Sequence, residues 1–294
     1  MKIVVTGSLG HIGKPLTEEL LQKGHIVTVI SSNPEKRSGI EQMGATAAIG
    51  AMEDAAFLAE TFTGADVVYC MVPPAAFKEP DRRLFYSSIA KNYVSAIKQA
   101  QVKRAIHLST FGADLDSGTG ILLGAYDAEN IFNQLADVQV THVRPTYFYY
   151  NLNNFISMIK HQGVIKANYG GDKTFPMVAP IDIAAAIADE IFNDTSKGTV
   201  RYVSSDERNG HEIANVLGEA IGKPDLKWEM ISNEEVLQNL KGFGVPTILA
   251  EGFVEMYDSM HKGNLARDFY KNKPAFGKIK LEEFAKEFAA AYNA

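Results

Sequence analysis

One cysteine in 294 residues leaves the chain without an intramolecular disulfide, and that fits a reducing compartment. The cysteine, Cys70, stands in the apolar run Val67-Val68-Tyr69-Cys70-Met71-Val72, where a packed core thiol is expected rather than a nucleophile. Basic runs are equally scarce. Lys and Arg number 29 against 35 acidic residues, for a formal net charge of −6, and the pairs Lys36-Arg37, Arg82-Arg83 and Lys103-Arg104 stand isolated. The dense positive face that a nucleic-acid partner requires is therefore excluded. No apolar stretch approaches the roughly 20 residues that cross a bilayer, so no membrane partner is expected. Met1 runs almost directly into a strand and a glycine loop without a signal peptide's features, and the expected location is cytoplasmic. The seven histidines show no metal-ligand spacing, and His211-Glu212 has no second histidine four residues after the first, so no metal is expected. A hydrolase's Gly-x-Ser-x-Gly elbow is missing too.

What is present reads as an ordinary soluble globular chain, 46% hydrophobic and 22% charged. Ile3-Val4-Val5 is a short apolar strand. The helix that follows carries Ile12, Leu16 and Leu20 on one face and stops at Gly24. His25–Ile30, Ala45–Ile49, Val67–Val72, Arg104–Leu108 and Val138–Val143 read as strands. Asp54–Phe62, Asp81–Gln99 and Ala125–Leu135 read as the helices between them. Strands that are apolar throughout and alternate with helices imply an α/β fold, a doubly wound parallel sheet of Rossmann type over 1–150. Its ligand site then lies along the edge where the strands end. Residues 151–294 are expected to form a smaller, mixed C-terminal substrate region. Within it, Val178–Phe192 and Thr199–Val203 return to the sheet, while His211–Ile221 and Glu282–Ala291 are helices.

The loop Thr6-Gly7-Ser8-Leu9-Gly10-His11-Ile12-Gly13 spaces its glycines by three between a strand and a helix. In a dinucleotide site the first glycine allows the tight turn, the second lets backbone approach a diphosphate, and the third lets the helix pack close to the sheet. The diphosphate then meets unpaired N–H groups at the helix N-terminus. All eight loop residues are expected to contact cofactor. After the second strand comes Ser31-Ser32-Asn33-Pro34-Glu35-Lys36-Arg37, with no carboxylate at the strand tip to hold a ribose hydroxyl. Ser31, Ser32 and Asn33 can donate hydrogen bonds to a 2′-phosphate, and Lys36 or Arg37 can supply charge. NADP is the expected cofactor, with NAD the alternative.

On these residues the chain resembles the NmrA-like family, an atypical branch of the extended short-chain dehydrogenases/reductases. The likeness rests on the glycine loop and on Asn33-Pro34-Glu35-Lys36. It continues through Gly64-Ala65-Asp66-Val67-Val68 followed by Pro73-Pro74, then Lys103–Ala113, Arg144-Pro145-Thr146-Tyr147-Phe148 and Ile181-Asp182-Ile183-Ala184. The resemblance implies further cofactor contacts from Met71, Val72 and Pro73, from Ser109, and from Pro145 and Tyr147 beside the nicotinamide. It also exposes a departure. Typical members of the wider superfamily pair a Tyr with a Lys four residues later as acid–base machinery. Here Tyr126 is followed by Asn130, and if Glu129 is aligned with the family's helix glutamate, the two positions become Ile121 and Ala125. Neither register holds the pair.

Hydride transfer needs mainly a positioned cofactor, and quinones or azo compounds accept a hydride and collect a proton from water. Ser109 and Tyr126 are the candidates for hydrogen-bonding a substrate oxygen, and Tyr147-Phe148-Tyr149-Tyr150 for walling a flat pocket. Two functions follow. One is an NADPH-dependent reductase of a small quinone-like or conjugated molecule, with a homo-oligomer compatible. The other is a non-catalytic redox sensor acting on a protein partner.

Overall fold

A computed structural model describes residues 1–73, 79, 81–193 and 200–294. The first half alternates without exception: β1 (Lys2–Val5), α1 (Gly13–Gln22), β2 (Ile26–Ser31), α2 (Lys36–Gln42), β3 (Thr46–Ile49), α3 (Ala55–Phe62), β4 (Val67–Cys70), α4 (Arg82–Ala100), β5 (Arg104–Leu108), α5 (Leu123–Phe132) and β6 (Gln139–Pro145). The second half runs β7 (Tyr147–Phe148), α6 (Ile156–Gln162), β8 (Val164–Ala167), β9 (Phe175–Val178), α7 (Pro180–Phe192), β10 (Val200–Val203), β11 (Asp206–Arg208), α8 (Gly210–Ala220), β12 (Lys227–Met230), α9 (Asn233–Gly242), α10 (Thr247–His261), α11 (Arg267–Lys271) and α12 (Leu281–Asn293).

Seven strands form one parallel sheet in the order β10-β6-β5-β4-β1-β2-β3, the doubly wound α/β arrangement that the strand–helix alternation implied. Both faces are covered. Leu16 and Leu20 of α1 and Ile183 and Ile187 of α7 pack with Ile3 and Val5 on one side. Phe62, Ile89, Tyr93 and Phe132, from α3, α4 and α5, pack with Val4 and Val68 on the other. Cys70 is fully buried on the latter face, and burial raises its thiol pKa well above the ordinary value, as suits a core thiol.

One of the two expected returns to the sheet needs correction. Val178 ends β9, which belongs to a separate three-stranded sheet with β11 and β7, and Pro180–Phe192 is a helix covering the main sheet. Only β10 adds a strand, pairing in parallel with β6; Thr199, included in that expectation, lies outside the described residues. The run Ile181-Asp182-Ile183 has a structural task. The Asp182 carboxylate accepts from Ser205 Oγ at 2.6 Å and from the backbone N–H groups of Lys278 and Ile279, both at 3.1 Å, fastening α7 to the C-terminal segment.

Behind the sheet edge, His107 and His142 face each other across β5 and β6, with 3.0 Å between their Nδ1 atoms, and His142 Nε2 lies 3.1 Å from Asn133 Oδ1. Such a contact needs at least one of the two imidazoles neutral, to accept. Burial, reinforced for His107 by His142 and Arg144, lowers the pKa of His107 well below 6.5. Burial also lowers that of His142, Glu129 opposing and Arg144 assisting. Below the ordinary value of about 6.5 the unfolded chain binds protons that the folded chain refuses. Stability is therefore expected to fall as pH drops below about 6.5, by up to about 1.4 kcal/mol per pH unit for each imidazole. Melting curves from pH 7.5 to 5.5 check this, with His142→Gln expected to show a shallower loss. Equal slopes in the two proteins would contradict it.

Candidate functional site

The strand order reverses between β1 and β4, and the loop leaving β1 opens there on a crevice of about 430 Å³, within the range of small-molecule sites. Thr6 ties the two strand ends together: its N–H donates to the Tyr69 carbonyl at 3.2 Å, and its Oγ1 accepts from Met71 N–H at 3.0 Å. Gly7 has φ +91°, and a Cβ there would lie 2.9 Å from the Met71 side chain. A Cβ at Gly13, where α1 begins, would lie 2.2 Å from the Ser8 carbonyl oxygen. Both positions demand glycine for the protein's own packing. Gly10 does not, since a Cβ there would meet only the Gly7 carbonyl at an ordinary 3.5 Å. That exposed glycine lines the crevice, so its missing side chain leaves room for something else.

The start of α1 is suited to an anion. No side chain caps it and its first turn holds no acidic residue, so the positive end of the helix is uncovered. Ser8 Oγ is buried beside it with no hydrogen-bond partner among the described residues. These features fit a diphosphate. Beyond them, at the tip of the neighbouring β2, Ser31 is buried and its Oγ accepts from Asn33 N–H at 3.2 Å. Asn33 Oδ1 accepts from Glu35 N–H at 2.9 Å in a side-chain-closed turn. Ser32, Asn33, Lys36 and Arg37 are exposed there, Arg37 paired among the described residues with Glu41 at 3.3 Å on the surface. That weak contact leaves its guanidinium available.

Thr6, Gly7, Gly10, His11, Ile12, Gly13, Met71, Val72 and Ser109 line the crevice; Ser8, Leu9, the β2-tip residues and Pro73 are not among its lining residues. Pro74 lies outside the described residues. Pro145 and Tyr147 are not among the residues that line the crevice. Both are buried, and the Tyr147 hydroxyl meets that of Tyr169 at 3.0 Å in the C-terminal core. Phe148 and Tyr150 supply the wall, while Tyr149 faces Phe284 in the same core. Along one strand exit the alternation of side chains decides which aromatics reach the site.

The catalytic candidates change as well. Tyr126 does not line the crevice; Ile121 and Ala125 do. They lie on the α5 side of the site at four-residue spacing with Glu129 and present hydrocarbon to the crevice. Ser109 reaches the crevice, but its hydroxyl donates to Glu129 Oε1 at 2.5 Å. It is therefore unable to donate to a substrate oxygen at the same time. Glu129 in turn accepts from Arg144 Nε at 2.9 Å and Nη2 at 2.6 Å, and Arg144 Nη1 donates to Tyr202 Oη at 2.9 Å. Burial disfavours charge on Arg144, yet the hydrogen bonds and charge of Glu129 outweigh it and raise its pKa.

Sequence reasoning passed over Tyr69, Tyr86, Leu108, Thr110 and Leu122, all of which line the crevice. Tyr69, Leu108 and Thr110 stand at or just past the ends of β4 and β5, so strand-end position was the available signal. Tyr86 is brought in by the packing of α4 on α5 at Gly124, whose Cβ would lie 2.9 Å from the Tyr86 ring, and nothing local marks it.

The NmrA-like family model matches residues 1–284. An NAD(P)H azoreductase of Xenophilus azovorans is 25% identical over 296 residues, 99% of each chain. In fold, the chain matches the triphenylmethane reductase of Citrobacter sp. with TM-score 0.81 at 21% identity, covering 99% of this chain and 100% of that one. It also matches an NADPH-dependent quinone oxidoreductase of Escherichia coli complexed with NADPH, with TM-score 0.79 at 21% identity over 97% and 99% of the two chains.

Proposed function

The chain belongs to the NmrA-like family, and we propose that it is an NADPH-dependent reductase of small, flat, conjugated acceptors. The observation that carries this reading is the composition of the crevice. A phosphate-fitting loop and bare helix start adjoin an apolar and aromatic chamber to which Ile121 and Ala125 present hydrocarbon.

The N–H groups of the glycine loop and the start of α1 would hold the diphosphate. Ser31, Ser32, Asn33, Lys36 and Arg37 would hold a 2′-phosphate, which the absence of a carboxylate at the β2 tip permits. When bound, the dinucleotide supplies a hydride. The chain's own contribution is orientation and exclusion of water: Phe148, Tyr150 and Leu108 enclose a planar ring, and Ile121 and Ala125 keep the floor apolar. A chamber of this kind suits acceptors that take a hydride without a protein acid and finish with a proton from water. Azo compounds, quinones and triarylmethane cations share that property, and the azoreductase relative and the two reductases of like fold are named for such molecules.

Mixing the protein with NADPH and a panel of these acceptors, and following nicotinamide absorbance, tests the reading. Saturable turnover on at least one class is expected, with NADH a poorer donor. Tight nucleotide binding with no turnover on any of them would overturn it.

A further inference from the structure

Hydroxyl groups in the crevice can be accounted for one at a time. The Ser109 proton goes to Glu129, and Thr6 Oγ1 accepts from Met71 N–H. Three phenols remain, from three separate elements: Tyr69 on β4, Tyr86 on α4, and Tyr150 in the turn after β7. None of their hydroxyls has a hydrogen-bond partner among the described residues, although Tyr69 is 1% exposed. The three hydroxyls are not buried, unpartnered atoms; all three side chains line the crevice, and their donors are open to it. Three unmet phenols around one cavity mark a place that a ligand's acceptor atom completes.

We propose that Tyr69, Tyr86 and Tyr150 form a cradle of phenol donors that receives a quinone carbonyl oxygen and holds it as negative charge develops there. This rests on the reductase reading and narrows it to quinoid substrates. In the step, the C–H bond of the dihydronicotinamide breaks and its electron pair travels with the hydrogen to the quinone. The nicotinamide is oxidised, and the quinone is reduced to a hydroquinone monoanion. The new charge sits on oxygen against the phenol O–H groups, and a proton from water completes the hydroquinone.

The phenols hold the charge without giving up their protons. Burial, then the neighbouring Tyr86, pushes Tyr150 up to about 12. Burial also raises Tyr69, with Cys70 and then Tyr150 adding to it, and raises Tyr86, with Arg82 opposing. All three line the same crevice of about 430 Å³. An ordinary phenol titrates near 10, so a hydroquinone oxygen is the stronger acid and Tyr150 stays protonated beside its anion. Donors aimed at developing charge in a dry site act on the transition state more than on the neutral quinone.

The test compares two acceptors in Tyr86→Phe, Tyr150→Phe and the double variant, which keep ring packing and remove only hydroxyls. A naphthoquinone develops an oxyanion; a triarylmethane cation takes hydride on carbon and develops none. Quinone kcat is expected to fall on the order of 100-fold per donor removed, and the ratio of quinone to dye turnover to fall with it. Equal losses on both acceptors, or no loss, would each overturn the proposal. A second readout needs no turnover: wild-type protein with NADP⁺ is expected to bind para-nitrophenol as its yellow phenolate, and the double variant much more weakly. Equal phenolate binding by the two proteins overturns the cradle even if the quinone assay agrees. If no acceptor turns over in the wild type, the reductase reading falls, and the phenolate titration still decides the cradle.

Discussion

Valine at position 10 is expected to weaken NADPH binding by at least about 100-fold, a loss of roughly 2.7 kcal/mol, while the protein melts where its parent does. The two halves of that outcome have separate causes. A Cβ on residue 10 meets nothing closer than the Gly7 carbonyl at 3.5 Å, so the chain itself accommodates it. The branched side chain then fills the space against the loop where a diphosphate would approach the backbone. Gly13→Ala supplies the contrast. Its Cβ would lie 2.2 Å from the Ser8 carbonyl oxygen, an atom of the backbone, so helix and loop must separate and both stability and binding are expected to fall. Titration calorimetry on the two variants, beside thermal melts, distinguishes a glycine kept for a ligand from one kept for packing. Parent-like affinity in Gly10→Val would show that the diphosphate does not sit there.

The second large effect lies behind the crevice. Glu129 and Arg144 are 5% and 6% exposed and joined by two hydrogen bonds. Removing one partner of a buried pair leaves the other charge uncompensated, at a cost of about 3–5 kcal/mol. Arg144 keeps only partial compensation from Asp268 at 3.5 Å and Asp114 at 3.8 Å. Glu129→Ala is therefore expected to lower the melting temperature by roughly 10 °C, at about 2–4 °C per kcal/mol for a chain of this size. It also frees the Ser109 hydroxyl. Arg83 and Asp127 make an equally short two-point contact, with both distances 2.7 Å, but the Arg83 side chain is 51% exposed. Solvent screens that pair, and Arg83→Ala is expected to cost no more than about 1 kcal/mol. Similar losses in the two variants would mean that burial does not set the strength of the Glu129 pair.

How far the chain could be read without coordinates depended on how local each signal was. An apolar strand, glycines at intervals of three and an amphipathic helix lie within about 20 residues at the N-terminus, and the structure places them as expected. Apart from β10, the strands of the C-terminal region were not apparent. β7 has two residues and pairs with β9, while β8 pairs with β12 some sixty residues away, so neither carries a periodic pattern of its own. The register at α5 was equally hidden. Helix α5 begins at Leu123, after a 3-10 turn held by α10, where a Cβ on Gly120 would lie 1.9 Å from the Gly252 carbonyl oxygen. That contact, made far along the chain, turns Ile121 and Ala125 toward the crevice and leaves Tyr126 outside it. Ser109 was found by position, yet its role depends on Glu129, which no motif links to it.

Everything proposed for the crevice requires a nicotinamide nucleotide at the first strand–helix crossover. Calorimetric titration of the wild-type protein with NADPH, and with NADH for comparison, addresses this directly. One site per chain and a clear preference for NADPH are the expected result. Absence of binding heat for both nucleotides, in protein shown to be folded, would contradict the account.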